Sequence, residues 1–274
     1  MEIVARRLGA ALPGETIESA LAPGINALKT FDPPLYALEG RTFTGVSRRG
    51  KLLLLELEEL VVLLHLMSAG RIQLSPKRAS LKDRTSRLLL RLPGDRELRV
   101  REFGTKQAAW VKVLRAADVD GDESLGGLGP EAWPDPPPLR ELLDAPRPLH
   151  TLLRDQQVVT GIGRTWVDEI LNVARLSPFK RGDDLSEDEA QTLRAAMVSE
   201  LGRVIDVYEE RVDLPLPEKF PKPTLVHARQ GEPCPQCGTV LEAVFYEDYV
   251  MTYCPTDQTD GRVLKDRRLS RLLK

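Results

Sequence analysis

Four residues near the C-terminal end have the types and spacing of a metal site. Cys234-Pro-Gln-Cys237 and Cys254-Pro-Thr-Asp257 are separated by sixteen intervening residues. Two such knuckles across a hairpin aim four donors at one tetrahedral ion, the pattern of a zinc ribbon. Asp257 is the expected fourth donor, with His227 and Asp260 as alternatives. Without a metal the same residues are three reduced surface cysteines and an acid. A second group is Asp155-Gln-Gln-Val-Val-Thr-Gly161-Ile-Gly163-Arg164, ahead of the helical Thr165-Trp-Val-Asp-Glu-Ile-Leu. A Gly-x-Gly turn that opens a helix leaves backbone N–H groups able to bind phosphate, although a plain helix–helix turn uses the same glycines. The third is Arg48-Arg-Gly-Lys51 at the start of an apolar strand. Two guanidinium groups disfavour the charged form of a neighbouring ammonium, which suits an amine beside a phosphate or a sugar carbon. An exposed edge lysine is the plain alternative.

The elements that must position these groups change character along the chain. Glu2 to Leu12 sets Ile3, Val4, Leu8, Ala11 and Leu12 on one helical stripe. From Thr42 to Val113 the apolar runs read as strands buried on both faces, as in a sandwich, with Pro93-Gly94-Asp95 as a hairpin turn. Pro134-Asp-Pro-Pro-Pro138 cannot continue a helix and marks a linker. Helices are expected near 139–144, 149–155, 165–174 and 186–210, the last opened by a Ser186/Glu189 capping box. Pro215, Pro217, Pro221 and Pro223 mark a second linker. The expected organisation is a sandwich over 1–115, a linker over 116–138 and a helical domain over 139–212. A linker over 213–229 and a ribbon module with a basic tail over 230–274 complete it.

Composition sets the outer bounds. The chain has 274 residues, 42% hydrophobic and 29% charged, with a net charge of −2. This is an ordinary globular composition that excludes global disorder. No run of eighteen apolar residues exists, so no membrane-spanning helix is expected. The opening residues show no signal-peptide pattern and three cysteines cannot close a disulfide set, so the cytoplasm is the expected compartment. The charge is segregated. Residues 41–115 hold 17 Lys and Arg against 7 acids, residues 116–160 hold 3 against 9, and residues 261–274 hold 6 against 1. Separated blocks of this kind suit a nucleic-acid groove with an acidic back, and equally a solvated surface.

Taken in order, Lys51 before Leu-Leu-Leu, His65-Leu-Met67-Ser-Ala-Gly, Arg101-Glu-Phe103-Gly, the Asp155–Arg164 turn and the cysteine hairpin resemble the formamidopyrimidine-DNA glycosylase and endonuclease VIII family. Val226-His-Ala-Arg-Gln-Gly-Glu-Pro-Cys, leading into the ribbon, adds to the likeness, which runs from Glu2 onward. The resemblance implies an α+β chain: an N-terminal β-sandwich, a helix–two-turns–helix domain and a C-terminal zinc-ribbon hairpin holding one structural zinc. It implies a monomeric base-excision repair enzyme acting on double-stranded damaged DNA, excising oxidised bases and nicking by β-elimination. Lys51 and His65 match phosphate contacts, and Met67 and Phe103 match apolar wedges that fill the gap left by an extruded base. Arg101 matches the arginine facing the widowed cytosine, while Gly161, Gly163 and Arg164 match the phosphate-binding turn. An enzyme that flips a base must replace lost stacking with apolar bulk and lost pairing with a donor. Core packing for Met67 and Phe103 and a surface charge for Arg101 are the alternatives.

Several positions depart from the family pattern. The family's N-terminal Pro-Glu pair, nucleophile and acid/base, is absent from this chain. Met1-Glu2-Ile3 matches the start of the first helix instead, so Glu2 is not the catalytic glutamate by position. Lys51 is then the remaining candidate amine, suited to slow lyase action only. The chain as it stands is expected to be weak as a glycosylase, with an upstream start restoring activity. A non-catalytic protein that binds damaged or abasic DNA is the alternative. Arg164 replaces an asparagine, His150 stands where a DNA-binding helical lysine is typical, and Tyr249 replaces a finger arginine. Asp257 replaces the last cysteine.

Overall fold

The structure, a computed structural model, describes residues 1–104, 107–246 and 249–264. The basic residues from Lys265 to Lys274 lie outside the described residues. The chain divides into two compact units: Met1–Gly127 with Tyr208–Pro221, and Leu128–Val207 with Lys222–Lys274.

The first unit opens with helix α1 (Glu2–Ala11), whose stripe of Ile3, Val4 and Leu8 enters the core. It packs against β2. Two four-stranded antiparallel sheets follow, with strands β1 (Ser19–Leu21), β2 (Gly45–Arg49), β3 (Leu52–Leu57), β4 (Leu60–His65), β5 (Gly70–Ser75), β6 (Ser86–Arg91), β7 (Glu97–Glu102) and β8 (Trp110–Arg115). One sheet has the order β2-β3-β4-β8, the other β1-β6-β7-β5. Alternate residues of each sheet, such as Leu53, Leu55 and Leu57 on β3 and Leu98 and Val100 on β7, meet in one hydrophobic core. The Pro93–Asp95 turn joins β6 to β7 with positive φ at both Gly94 and Asp95, which matches the right-handed twist of a hairpin. Beyond α2 (Glu123–Gly126) the chain leaves this unit. It returns at Tyr208, and Val212 and Leu216 are buried in the same core. Arg7 anchors this returning segment by donating to the carbonyls of Glu209 (2.6 Å) and Val212 (2.7 Å).

The second unit is helical. Short helices α3 (Leu139–Leu142) and α4 (Leu149–Leu152) precede α5 (Arg164–Val173) and the 25-residue α6 (Glu187–Arg211). Their apolar faces share a separate core that includes Leu149, Ile162, Ile170, Leu193 and Met197. The capping box at α6 forms reciprocally, Glu189 N to Ser186 Oγ at 3.2 Å and Ser186 N to Glu189 Oε2 at 2.9 Å. Strands β9 (Glu242–Phe245) and β10 (Val250–Tyr253) pair as an antiparallel hairpin, followed by α7 (Pro255–Thr259). No helix among the described residues is long and apolar enough to cross a membrane.

Candidate nucleic-acid interface and metal centre

In the first unit Lys51, His65 and Met67 gather at one end of the β2-β3-β4-β8 sheet, while Arg101 and Phe103 belong to the end of β7 in the other sheet. Gly50, at φ 58°, makes the tight turn that places Lys51 between β2 and β3 rather than on the strand itself. The register then aligns Arg49 with Leu52, Leu52 with His65, and His65 with Trp110 across all four strands. The His65 ring lies parallel to Trp110, with centroids 6.0 Å apart. Its Nδ1 accepts the Met67 N–H at 2.9 Å, which leaves Nε2 to carry the proton of the neutral ring. Burial, and then the nearby Lys51 ammonium, push the His65 imidazole below its usual value. A depressed folded-state value means protonation opposes folding, so this contribution to stability is lost as pH falls through the ordinary histidine range. His65→Gln is therefore expected to lose less stability than the parent between pH 7 and pH 5, as read from urea midpoints. An equal loss in both would remove His65 from the acid response.

Glu2 is committed elsewhere. Its two carboxylate oxygens accept from Arg6 Nε (2.8 Å) and Arg48 Nε (2.6 Å). These bonds hold its carboxyl below the usual range even though burial acts against them. Met67, in the left-handed region at φ 51°, tips the turn after β4 and is half exposed. Phe103 is exposed just past β7. Arg101 lies on β7, its guanidinium 5.1 Å from the Phe103 ring and donating to Gln73 Oε1 (2.7 Å) and to Glu218. Sequence reasoning overlooked the buried residue between them. Glu102 Oε1 accepts the backbone N–H of Ala108 (2.7 Å) and Ala109 (2.9 Å), and its Oε2 meets Arg87 Nε at 3.3 Å. One carboxylate thus ties the end of β7 to the start of β8.

In the second unit Gly161, at φ 101°, turns the chain so that Gly163 caps α5 and Arg164 is its first residue. Gly161 N donates to Gln156 Oε1 at 3.0 Å. The Glu131 carboxylate stands 3.6 Å from where a Cβ on Gly161 would lie, so an acid flanks the turn. His150 is 3% exposed, which places it inside the unit and away from solvent. Its Nε2 is 3.3 Å from Asp168 Oδ1, while Asp168 Oδ2 meets His227 Nδ1 at 2.6 Å and accepts the Thr252 N–H at 3.0 Å. The neighbouring Glu169 accepts three consecutive backbone N–H groups, from Leu225, Val226 and His227, at 2.7–3.0 Å. Burial pushes its carboxyl above the usual range, against those three bonds. Two acids on the buried face of α5 therefore hold the segment leading into the cysteine hairpin. Their signal in the sequence was Asp168-Glu169 set inside an apolar helical stripe.

The ligand atoms of Cys234, Cys237, Cys254 and Asp257 all lie within 4.8 Å of one another. Tetrahedral thiolate sites with bonds of about 2.3 Å need edges of roughly 3.8 Å, so the cluster can close around one ion with small adjustments. Cys234 Sγ is 3.5 Å from Asp257 Oδ2 and Cys237 Sγ is 3.4 Å from Cys254 Sγ. His227 is engaged by Asp168, and Asp260 points into solvent beyond α7. The Asp257 backbone N–H donates to Cys254 Sγ at 3.4 Å, the turn that a knuckle requires. Burial, and then the adjacent thiols, push Cys254 up to about 12.

Residues 1–105 match the family model described as the formamidopyrimidine-DNA glycosylase N-terminal domain, and residues 137–214 match that of its H2TH domain. The formamidopyrimidine-DNA glycosylase of Thermus thermophilus is 32% identical over 280 residues, covering 95% of this chain and 97% of that protein. An uncharacterised formamidopyrimidine-DNA glycosylase-like protein of Mycobacterium tuberculosis is 41% identical over 126 residues, 46% of this chain and 80% of that protein. Among solved structures, a Lactococcus lactis relative in complex with DNA containing an abasic site superposes with a TM-score of 0.83. It is 24% identical and covers 94% of this chain and 97% of that one.

Proposed function

The chain belongs to the formamidopyrimidine-DNA glycosylase family, and from that premise we propose that it recognises and excises oxidised bases from duplex DNA. Nicking of the abasic strand by β-elimination completes the proposed reaction. The observation that carries the reading is the row at the end of the first sheet, where Lys51 and His65 stand together beside the exposed Met67. An ammonium and a neutral Nε2–H donor are the groups that hold a phosphodiester, and Met67 and Phe103 are large apolar side chains available to occupy a vacated stack. Arg101 supplies the donor toward the unpaired base once Glu218 releases it. In the second unit Gly161, Gly163 and Arg164 hold backbone phosphate. His150 serves this surface indirectly, through the packing of Asp168.

Zinc is the proposed ion of the cysteine cluster, because three thiols and one carboxylate form a donor set that suits it. It would be held by Cys234, Cys237, Cys254 and Asp257, and would fix the hairpin without touching the reaction.

A second reading is a protein that binds damaged or abasic DNA without cutting it: Glu2 does not stand where the family's catalytic glutamate would and is not available to take over its role. The carboxylate at the head of α1 is saturated by two guanidinium groups and is a poor proton carrier. Incubation with a duplex containing an oxidised purine opposite cytosine, in the presence of borohydride, separates the two. Strand scission with a trapped covalent complex supports the glycosylase. Tight, salt-sensitive binding with neither product selects the second reading, and no preference for the damaged duplex defeats both.

A further inference from the structure

Tyr249, just before β10, is the centre of a stack. Its ring lies parallel to Tyr246 with centroids 4.3 Å apart, and to His150 at 5.7 Å. Two guanidinium groups lie over the same ring: Arg154 at 4.2 Å from the centroid and Arg164 at 5.8 Å. Beneath the stack, the buried His150 ring faces the buried Asp168, with Nε2 3.3 Å from Oδ1. Arginines of this unit usually carry a carboxylate partner: Arg140 has Asp144, Arg147 has Asp155, Arg181 has Asp183 and Arg194 has Asp135. Arg154 differs. Among the described residues its guanidinium meets no carboxylate and lies instead over the Tyr249 ring.

An aromatic ring orients a guanidinium plane while leaving its edge donors open, whereas a carboxylate consumes them. Two cations drawn to one ring also repel each other, and an anion between or beside them relieves that repulsion. The Glu131 carboxylate flanks the Gly161–Gly163 turn, whereas no carboxylate among the described residues meets the Arg154 guanidinium, which adds positive charge beside the turn. We propose that Arg154, oriented by the Tyr249 ring beside Arg164, is a phosphate-binding residue for the DNA backbone. The inference rests on the DNA-binding reading above and adds a contact that the family likeness did not assign.

The test is the salt dependence of binding to a short fluorescent duplex, followed by anisotropy between about 50 and 200 mM salt. Each phosphate neutralised contributes about 0.9 to the slope of log affinity against log salt. Arg154→Gln is expected to lower the slope by about one and Arg154→Lys to keep it, since an ammonium still neutralises the phosphate. Arg140→Gln, which removes a cation already paired with Asp144, should leave the slope alone. A merely structural Arg154 would shift the thermal midpoint without changing the slope. An unchanged slope in Arg154→Gln overturns the inference, as does a loss that Arg154→Lys shares. If the unaltered protein itself bound DNA with no salt dependence, the underlying DNA-binding reading would fail instead.

Discussion

Asp168→Ala is expected to destabilise the second unit by about 3–5 kcal/mol, the cost of removing one partner from a buried charged network. Asp168 is 1% exposed; its carboxylate bonds His227 on the approach to the hairpin and the backbone N–H of Thr252 on β10, and its other oxygen faces His150 of α4 at 3.3 Å. Alanine leaves the buried Thr252 amide without an acceptor and the buried His150 ring facing a void, while the part-buried His227 loses its 2.6 Å carboxylate partner. The loss should appear in urea unfolding followed by the fluorescence of Trp133 and Trp166, which both lie in this unit. Asp168→Asn, which keeps an acceptor but not the charge, should fall between alanine and the parent. A cost below about 1 kcal/mol for the alanine variant would mean that the two histidines find other partners and the network is dispensable.

The metal centre gives the second large effect. Cys254→Ala should reduce bound zinc from one ion per chain to nearly none, because Cys254 is the buried donor at the N-terminus of α7. Structural zinc contributes folding energy outright, so the hairpin should also become cleavable under limited proteolysis while the first unit stays resistant. Asp257 is the weaker ligand by chemistry, an oxygen donor among thiolates. Asp257→Ala should lower zinc retention against a chelator, and Asp257→Cys should raise it. Because the thiols must shed protons to bind, retention should improve as pH rises. Metal analysis that found no zinc in the parent, or equal retention in all three proteins, would sink the assignment.

Local patterns account for what could be read from the amino-acid order. The α1 stripe, the Pro93–Asp95 turn, the Ser186/Glu189 box and the cysteine spacing each depend on residues close together in sequence, and each forms. What escaped depends on distant pairing. Nothing around Glu102 announces that it will gather two amides and Arg87, since those partners arrive from another strand and from beyond the turn. His150 matched a surface position, yet Asp168, eighteen residues later, draws it inside. The prolines after Val212 read as a linker because they end a helix. Leu216 between them is buried all the same, with Gln73 Nε2 donating to its carbonyl at 3.1 Å.

That returning segment bears on the order in which the protein can be made. A ribosome releases residues 1–127 long before Tyr208–Pro221, yet both belong to one compact unit. Until the later stretch emerges, the seam that will receive Val212 and Leu216 stays open and apolar, and Arg7 lacks the carbonyls it is shaped to bind. The nascent sandwich must therefore wait through the synthesis of the whole helical core, which can close first from its own contiguous residues 128–207. Fragments ending near residue 127 should be sticky and short-lived in the cell, while a fragment that simply adds the downstream stretch in trans should rescue them.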